Sequence, residues 1–111
     1  MINDKRVDDV LIVKLTQQRL DAQEAGSFKE HMLRYISDGH KKIVLDLSRV
    51  EFIDSSGLGA IVSSLKRLDG NGSLILCGIR EAIMTRFKLM RMDHVFPIFA
   101  TEEEAIASLA R

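Results

Sequence analysis

Residues 54–59 read DSSGLG and stand between a short apolar stretch and a segment in which apolar residues recur every three or four positions. That recurrence is typical of an amphipathic helix, and a strand that runs directly into a helix is the basic unit of an α/β fold. The two serines therefore fall in the first turn of the helix, where free backbone N–H groups and the helix dipole favour an anion. A phosphate can therefore be accommodated at this position without disrupting the fold.

On both sides of this stretch, short apolar strands alternate with helical segments. The predicted strands lie near residues 2–7, 10–15, 43–47, 73–77 and 96–99, and the predicted helices near 21–38, 54–68, 81–90 and 101–109. The order ββαβαβαβα predicts an α/β fold with a mixed, mostly parallel sheet of four to five strands and about four helices. Pro97 indicates that the last strand lies at an edge of the sheet. The length predicts a single domain over residues 1–111.

Capping residues mark the predicted helix ends. Asp21 is expected to cap the first helix, with Glu24 three residues later, and Thr101 with Glu104 repeats this pattern before the last helix. Gly39 suits the left-handed turn that ends the first helix. In the third helix, Ile83, Phe87 and Met90 are predicted to face inward.

The charge balance and the short apolar runs exclude several classes of partner. Sixteen basic and sixteen acidic residues give no net charge, and no basic stripe is interleaved with aromatic residues, so a nucleic-acid partner is not expected. No apolar run is long enough for membrane insertion. The N-terminus lacks the apolar segment of a signal peptide, and Cys77 has no second cysteine to pair with, which together predict a cytoplasmic protein.

The residues needed for catalysis or metal binding are not grouped. A serine hydrolase would need a histidine and a carboxylate directed at Ser56, but His31, His40 and His94 are scattered along the chain. None of these histidines is paired with another at ligand spacing, and Cys77 lies within a predicted strand, so we expect no metal site. A phosphate-binding loop of the Walker type is absent. We therefore expect no catalytic residues and no cofactor.

Nearly the whole chain resembles the STAS domain, and in particular the stand-alone bacterial anti-sigma factor antagonists. The resemblance is carried by Leu20-Asp21, by VLDL at 44–47, by FIDSSGLG at 52–59, by VFPIF at 95–99 and by TEEEA at 101–105. One position departs from the family pattern, because Gln18 stands where the family usually has glycine.

The resemblance implies a STAS fold and a non-enzymatic partner switch. In such proteins the second serine of the motif, here Ser56, is phosphorylated by a GHKL-type serine kinase that doubles as the anti-sigma factor, and a PP2C-type phosphatase reverses the modification. The unphosphorylated form binds the anti-sigma factor, and the phosphorylated form releases it. We expect a monomer or weak dimer. The alternative is a constitutive STAS scaffold subunit of a larger complex, either stressosome-like or associated with a lipid transporter.

The predicted partner-binding surface surrounds the start of the second helix. It consists of Asp21, Asp54, Ser55, Ser56, Gly57, Leu58 and Gly59.

Several of these residues have a structural interpretation as well. Gly57 and Gly59 either allow a partner backbone to approach or relieve the packing of a tight strand-to-helix turn. Ser55 is expected to cap the helix and not to be a second phosphorylation site. Asp54 either positions the Ser56 hydroxyl or caps the helix.

Overall fold

The computed structural model describes residues 2–110, and within them the chain forms seven strands and four helices. The strands are β1 (Ile2–Val7), β2 (Val10–Leu15), β3 (Arg19–Leu20), β4 (Lys42–Asp46), β5 (Phe52–Ile53), β6 (Ser73–Cys77) and β7 (Ile98–Phe99). The helices are α1 (Ala22–Ser37), α2 (Ser55–Leu68), α3 (Glu81–Leu89) and α4 (Glu102–Leu109), with a 3-10 turn at Met92–His94. None of the helices in this part of the chain is long and apolar enough to cross a bilayer.

Five strands form the main sheet in the order β1-β2-β4-β6-β7. β1 pairs antiparallel with β2, and the other neighbours are parallel, so the predicted mixed, mostly parallel sheet is confirmed. β7 lies at the edge of the sheet, as Pro97 indicated. The hairpin between β1 and β2 turns at Asp8, whose φ of 56° is in the left-handed region.

A second, two-stranded parallel sheet was not predicted from the sequence. It pairs Arg19 with Phe52 and Leu20 with Ile53. Strands of two residues are too short to show an alternating pattern, so hydrophobic periodicity cannot detect them. The pairing matters for the site because β3 leads into α1 and β5 leads into α2, which brings the two helix starts side by side.

The sheet is covered on both faces. On one face, α1, α2 and α3 bury a large core to which Phe28, Met32, Ile61 and Phe87 contribute. On the other face, the single helix α4 packs through Ala105 against a smaller cluster from β2, β4 and β6. Coverage on both faces explains why β4 reads as a nearly unbroken apolar run.

The prediction for the end of α3 needs a correction. Ile83 and Phe87 are buried as expected, but Met90 is exposed, whereas Met84 and Met92 pack against the core and are only partly exposed. α3 ends at Leu89, and the next turn passes through Arg91 in a left-handed conformation with φ 58°. This change of direction turns Met92 back towards the core and leaves Met90 at the surface.

Candidate functional site

The site is formed where β3 enters α1 and β5 enters α2. The backbone N–H of Asp54 donates to the carbonyl of Leu20 at 3.3 Å, which ties the second junction to the first. Both junctions end in an aspartate with extended backbone angles, Asp21 before α1 and Asp54 before α2. The predicted partner-binding residues are therefore brought together in one place.

Asp54 caps one helix and contacts the other. Its Oδ1 accepts a hydrogen bond from the backbone N–H of Gly57 at 2.9 Å, which satisfies a donor in the first turn of α2. Its Oδ2 accepts from the backbone N–H of Ala22, the first residue of α1, at 3.1 Å. Both carboxylate oxygens thus bind backbone donors, so capping is the role that the geometry supports over positioning of the Ser56 hydroxyl.

Asp21 caps α1, as predicted, and also binds a neighbouring cation. Its Oδ1 accepts from the backbone N–H of Gln23 at 3.1 Å, and its Oδ2 accepts from Nε of Arg19 at 3.0 Å. The hydrogen bond from Arg19 is the main reason why the pKa of Asp21 is lowered from its usual value. The guanidinium of Arg19 also lies 4.3 Å from the centre of the Phe52 ring, an arrangement favourable for a cation–π contact. Arg19 is a member of this surface that sequence reasoning missed, although it stands two residues before the predicted cap.

Ser55 and Ser56 are both exposed in the first turn of α2. Among the hydrogen bonds within residues 2–110, none involves either hydroxyl. Capping is done by Asp54 and not by Ser55. The side chain of Ser56 can therefore be modified without breaking a hydrogen bond in the described chain.

The two glycines of the motif have different surroundings. Gly57 is buried, and a Cβ at this position would overlap the carbonyl oxygen of Leu20. Gly59 is exposed, and a Cβ there would have no atom within 4 Å. Close packing therefore explains why position 57 is a glycine, but it does not explain the glycine at position 59. Leu58 is also buried, so a partner docked on this structure would meet Ser55, Ser56 and Gly59 more directly than Gly57 or Leu58.

The groups considered for catalysis and metal binding do not assemble into a site. His31 Nδ1 hydrogen-bonds the carbonyl of Ser27 on its own helix at 2.8 Å, and His40 packs edge-on to Tyr35. Burial raises the pKa of the Cys77 thiol to about 12, so this thiol is neutral near pH 7. Over residues 2–110, no three His, Cys, Asp or Glu side chains are arranged to hold a metal ion.

The amino-acid sequence matches one protein family over almost its whole length. A family model described as "STAS domain" matches residues 1–105. A Thermotoga maritima protein described as a candidate anti-sigma factor antagonist is 34% identical over 109 residues, which is 96% of this chain and 96% of that protein. The anti-sigma F factor antagonist of Paenibacillus polymyxa is 28% identical over 102 residues, covering 90% of this chain and 86% of its own.

Solved structures show the same architecture. A crystal structure of a candidate anti-sigma factor antagonist from Thermotoga maritima superposes with a TM-score of 0.90 at 34% identity, covering 99% of this chain and 95% of that one. The Bacillus cell fate determinant SpoIIAA, solved in its phosphorylated form, gives a TM-score of 0.76 at 23% identity and covers 99% and 100% of the two chains. At 23% identity, the similarity to SpoIIAA shows a shared fold and nothing more.

Proposed function

The chain belongs to the STAS domain family, among the anti-sigma factor antagonists, and we propose that it is a phosphorylation-controlled partner switch. In this proposal the unphosphorylated form binds a GHKL-type serine kinase that acts as an anti-sigma factor. Phosphorylation of Ser56 releases the kinase, and a PP2C-type phosphatase restores binding. The relatives are named as regulators and not as enzymes, in keeping with a non-enzymatic role.

The observation that carries this proposal is the state of Ser56 itself. Its side chain is exposed in the first turn of α2 and has no hydrogen-bond partner in the described chain, while Asp54 and Gly57 already fix the backbone around it. Phosphorylation would add about −1.5 to −2 charges near neutral pH. The positive end of the helix dipole would stabilise those charges by about 0.3–1 kcal/mol. We therefore expect the free protein to accept the phosphoryl group without refolding.

The effect of phosphorylation would instead fall on the partner. A surface that covers Ser56 must either desolvate the phosphoryl group or neutralise it, and an uncompensated buried charge is strongly unfavourable. About 1.4 kcal/mol corresponds to a tenfold change in affinity. A penalty of a few kcal/mol is therefore enough to change the partner from mostly bound to mostly unbound.

The remaining parts of the proposal follow from the sequence. We expect one domain over residues 1–111 that works in the cytoplasm as a monomer or weak dimer, with no cofactor, no nucleic-acid partner and no membrane insertion. The partner-binding surface would include Asp21, Asp54 and the exposed residues of the 54–59 stretch.

The proposal is tested by following phosphorylation in the source cell on a phosphate-affinity gel. The wild-type chain is expected to give two bands, and Ser56→Ala only the unphosphorylated one. Ser55→Ala is the matched control, because it removes the neighbouring hydroxyl and is expected to keep both bands. A phosphorylated band in Ser56→Ala would overturn the assignment to Ser56, because another residue would then be modified. A wild-type chain that is never phosphorylated and always sits in a large assembly would favour the constitutive scaffold role instead.

A further inference from the structure

The exposed apolar surface of this chain is concentrated at the end of α3. Over residues 2–110, the exposed large hydrophobic side chains are Leu89, Met90 and Val95, at 79%, 45% and 42% exposure. All three lie within one short segment. Single exposed apolar side chains are ordinary in monomeric proteins, whereas contiguous ones are typical of an interaction surface.

Met90 also lines a groove between α3 and the start of α2. Its walls are the side chains of Ile53, Leu58, Ile83, Phe87 and Met90. The groove has a volume of about 50 Å³. A water-sized group needs roughly 10–15 Å³ by the same measure, so the groove has room for the branched end of one aliphatic side chain.

The same groove reaches the start of α2, because Ser55 and Asp54 also line it. Ser55 is the residue directly before Ser56 on α2. An aliphatic side chain seated in the groove would therefore belong to a partner that also covers the start of this helix.

The charge of the groove is carried by Arg86. Its Nη1 donates to the carbonyl of Ile53 at 3.3 Å, and the three ion pairs found within residues 2–110 do not include it. Asp54 lines the same groove, but no ion pair within residues 2–110 joins its carboxylate to Arg86. Lys88 and Arg91, in the same segment, likewise have no ion pair in the described chain. A guanidinium with free donors is a favourable site for a carboxylate.

We propose that this groove is a second contact for the regulator, and that it takes one aliphatic side chain from a helical segment that presents a carboxylate to Arg86. The inference rests on the proposed function, because it assigns the groove to the same partner. A second copy of this chain is a poorer occupant. Its acidic helix α4 already packs its apolar side against its own sheet.

The two contacts would be coupled through charge. A phosphoryl group on Ser56 would stand next to Ser55, which lines the groove. It would attract Arg86 and repel the carboxylate of the partner at short range, so phosphorylation would weaken the groove contact as well as the contact at Ser56 itself.

The chemistry of the groove is tested with two short synthetic helical peptides that differ only in charge. Both carry the same leucines, flanked by glutamates in one peptide and by lysines in the other, and each is titrated into the ¹⁵N-labelled full chain at low salt. The glutamate peptide is expected to shift the amides of 53–58 and 83–95, and to bind about ten-fold more tightly than the lysine peptide. R86Q is expected to reduce that preference to the part contributed by Lys88 and Arg91, and M90S to weaken both peptides.

Absence of shifts at these amides, or equal binding of the two peptides, would overturn the groove assignment. The assay contains neither kinase nor phosphate, so its result does not depend on whether Ser56 is phosphorylated in cells. A chain carrying phosphoserine at position 56 is expected to bind the glutamate peptide more weakly than the unmodified chain. Equal binding of these two chains would overturn the coupling.

Discussion

Gly57 and Gly59 occupy the same turn of α2, but only Gly57 lies close to the backbone of another segment. Gly57 lies against the carbonyl of Leu20, and this carbonyl accepts the N–H of Asp54. The junctions before α1 and α2 can approach each other only because position 57 has no side chain. Gly59 has no such neighbour and faces solvent.

Alanine substitutions separate these two roles. Gly57→Ala is expected to destabilise the protein by about 1–3 kcal/mol or more, because the new methyl group must displace backbone. Gly59→Ala is the matched control and is expected to stabilise the protein by roughly 0.5–1 kcal/mol, since alanine is the better helix former and has room there. Urea denaturation of both variants measures the two effects. A Gly57→Ala variant as stable as the wild type would contradict the close approach to Leu20.

The sequence predicts the chemistry of single residues in this site better than their contacts. The DSSGLG stretch predicts two exposed serines at a helix start, and the structure has them there. It does not predict that Asp54 binds the N–H of Ala22, 32 positions earlier, because no local pattern reports a contact between distant segments. For the same reason, the sequence does not predict that Arg86 binds the carbonyl of Ile53.

Among the elements, those with a clear period or a cap are predicted well. β4 is recognised by its apolar run, and α1 and α4 by Asp21 and Thr101, whose side chains do accept backbone N–H bonds. Glu104 differs slightly from the expected pattern, since it accepts the N–H of Ala100 one residue before the cap. β3 and β5 have two residues each and carry no periodic signal.

The start of α4 holds a pair of carboxyl groups whose protonation is linked to stability. Glu102 lies against Asp46 at the end of β4 and also pairs with Lys5 at 3.3 Å. The hydrogen bond with Asp46, reinforced by burial, raises the pKa of Glu102. Burial acts to raise the pKa of Asp46 as well, but the hydrogen bonds from Glu102 and the Ser48 amide outweigh it, and the pKa of Asp46 is lowered. A proton shared by the two carboxyl groups is therefore held on Glu102 in preference to Asp46.

This pair predicts a pH dependence with a definite sign. The raised pKa means that the folded protein holds a proton on Glu102 which the unfolded chain releases near its usual value of about 4.3. The contribution of this proton to the free energy of unfolding is fully present below that value. It is lost as the pH rises through the folded pKa of Glu102. Glu102→Gln keeps a donor for Asp46 but cannot titrate. Its free energy of unfolding, measured by urea denaturation, is therefore expected to rise relative to wild type as the pH is raised from about 4 to about 7.

Glu103→Gln is the control for this experiment, because Glu103 is exposed in the same helical turn. It should follow the wild-type pH dependence. Parallel curves for Glu102→Gln and the wild type would contradict the shared proton.

On the scale of the whole molecule, the proposed switch and the α4 side of the sheet are separated. The starts of α1 and α2 and the groove beside α3 lie on the face with the larger core, whereas α4 covers the opposite face with its own cluster. A phosphoryl group on Ser56 would thus act on whatever docks at the start of α2, and no movement of the sheet is required to transmit its effect.

Phosphorylation of Ser56 is expected to weaken the contact with the partner without changing the fold. The most direct measurement is a quantitative pull-down from lysate of the source cell with two baits, the unmodified chain and the chain carrying phosphoserine at position 56. We predict that a GHKL-type kinase is retained only by the unmodified bait, while both baits show the same circular dichroism spectrum and thermal unfolding. Retention of the same proteins by both baits would mean that Ser56 does not control partner binding.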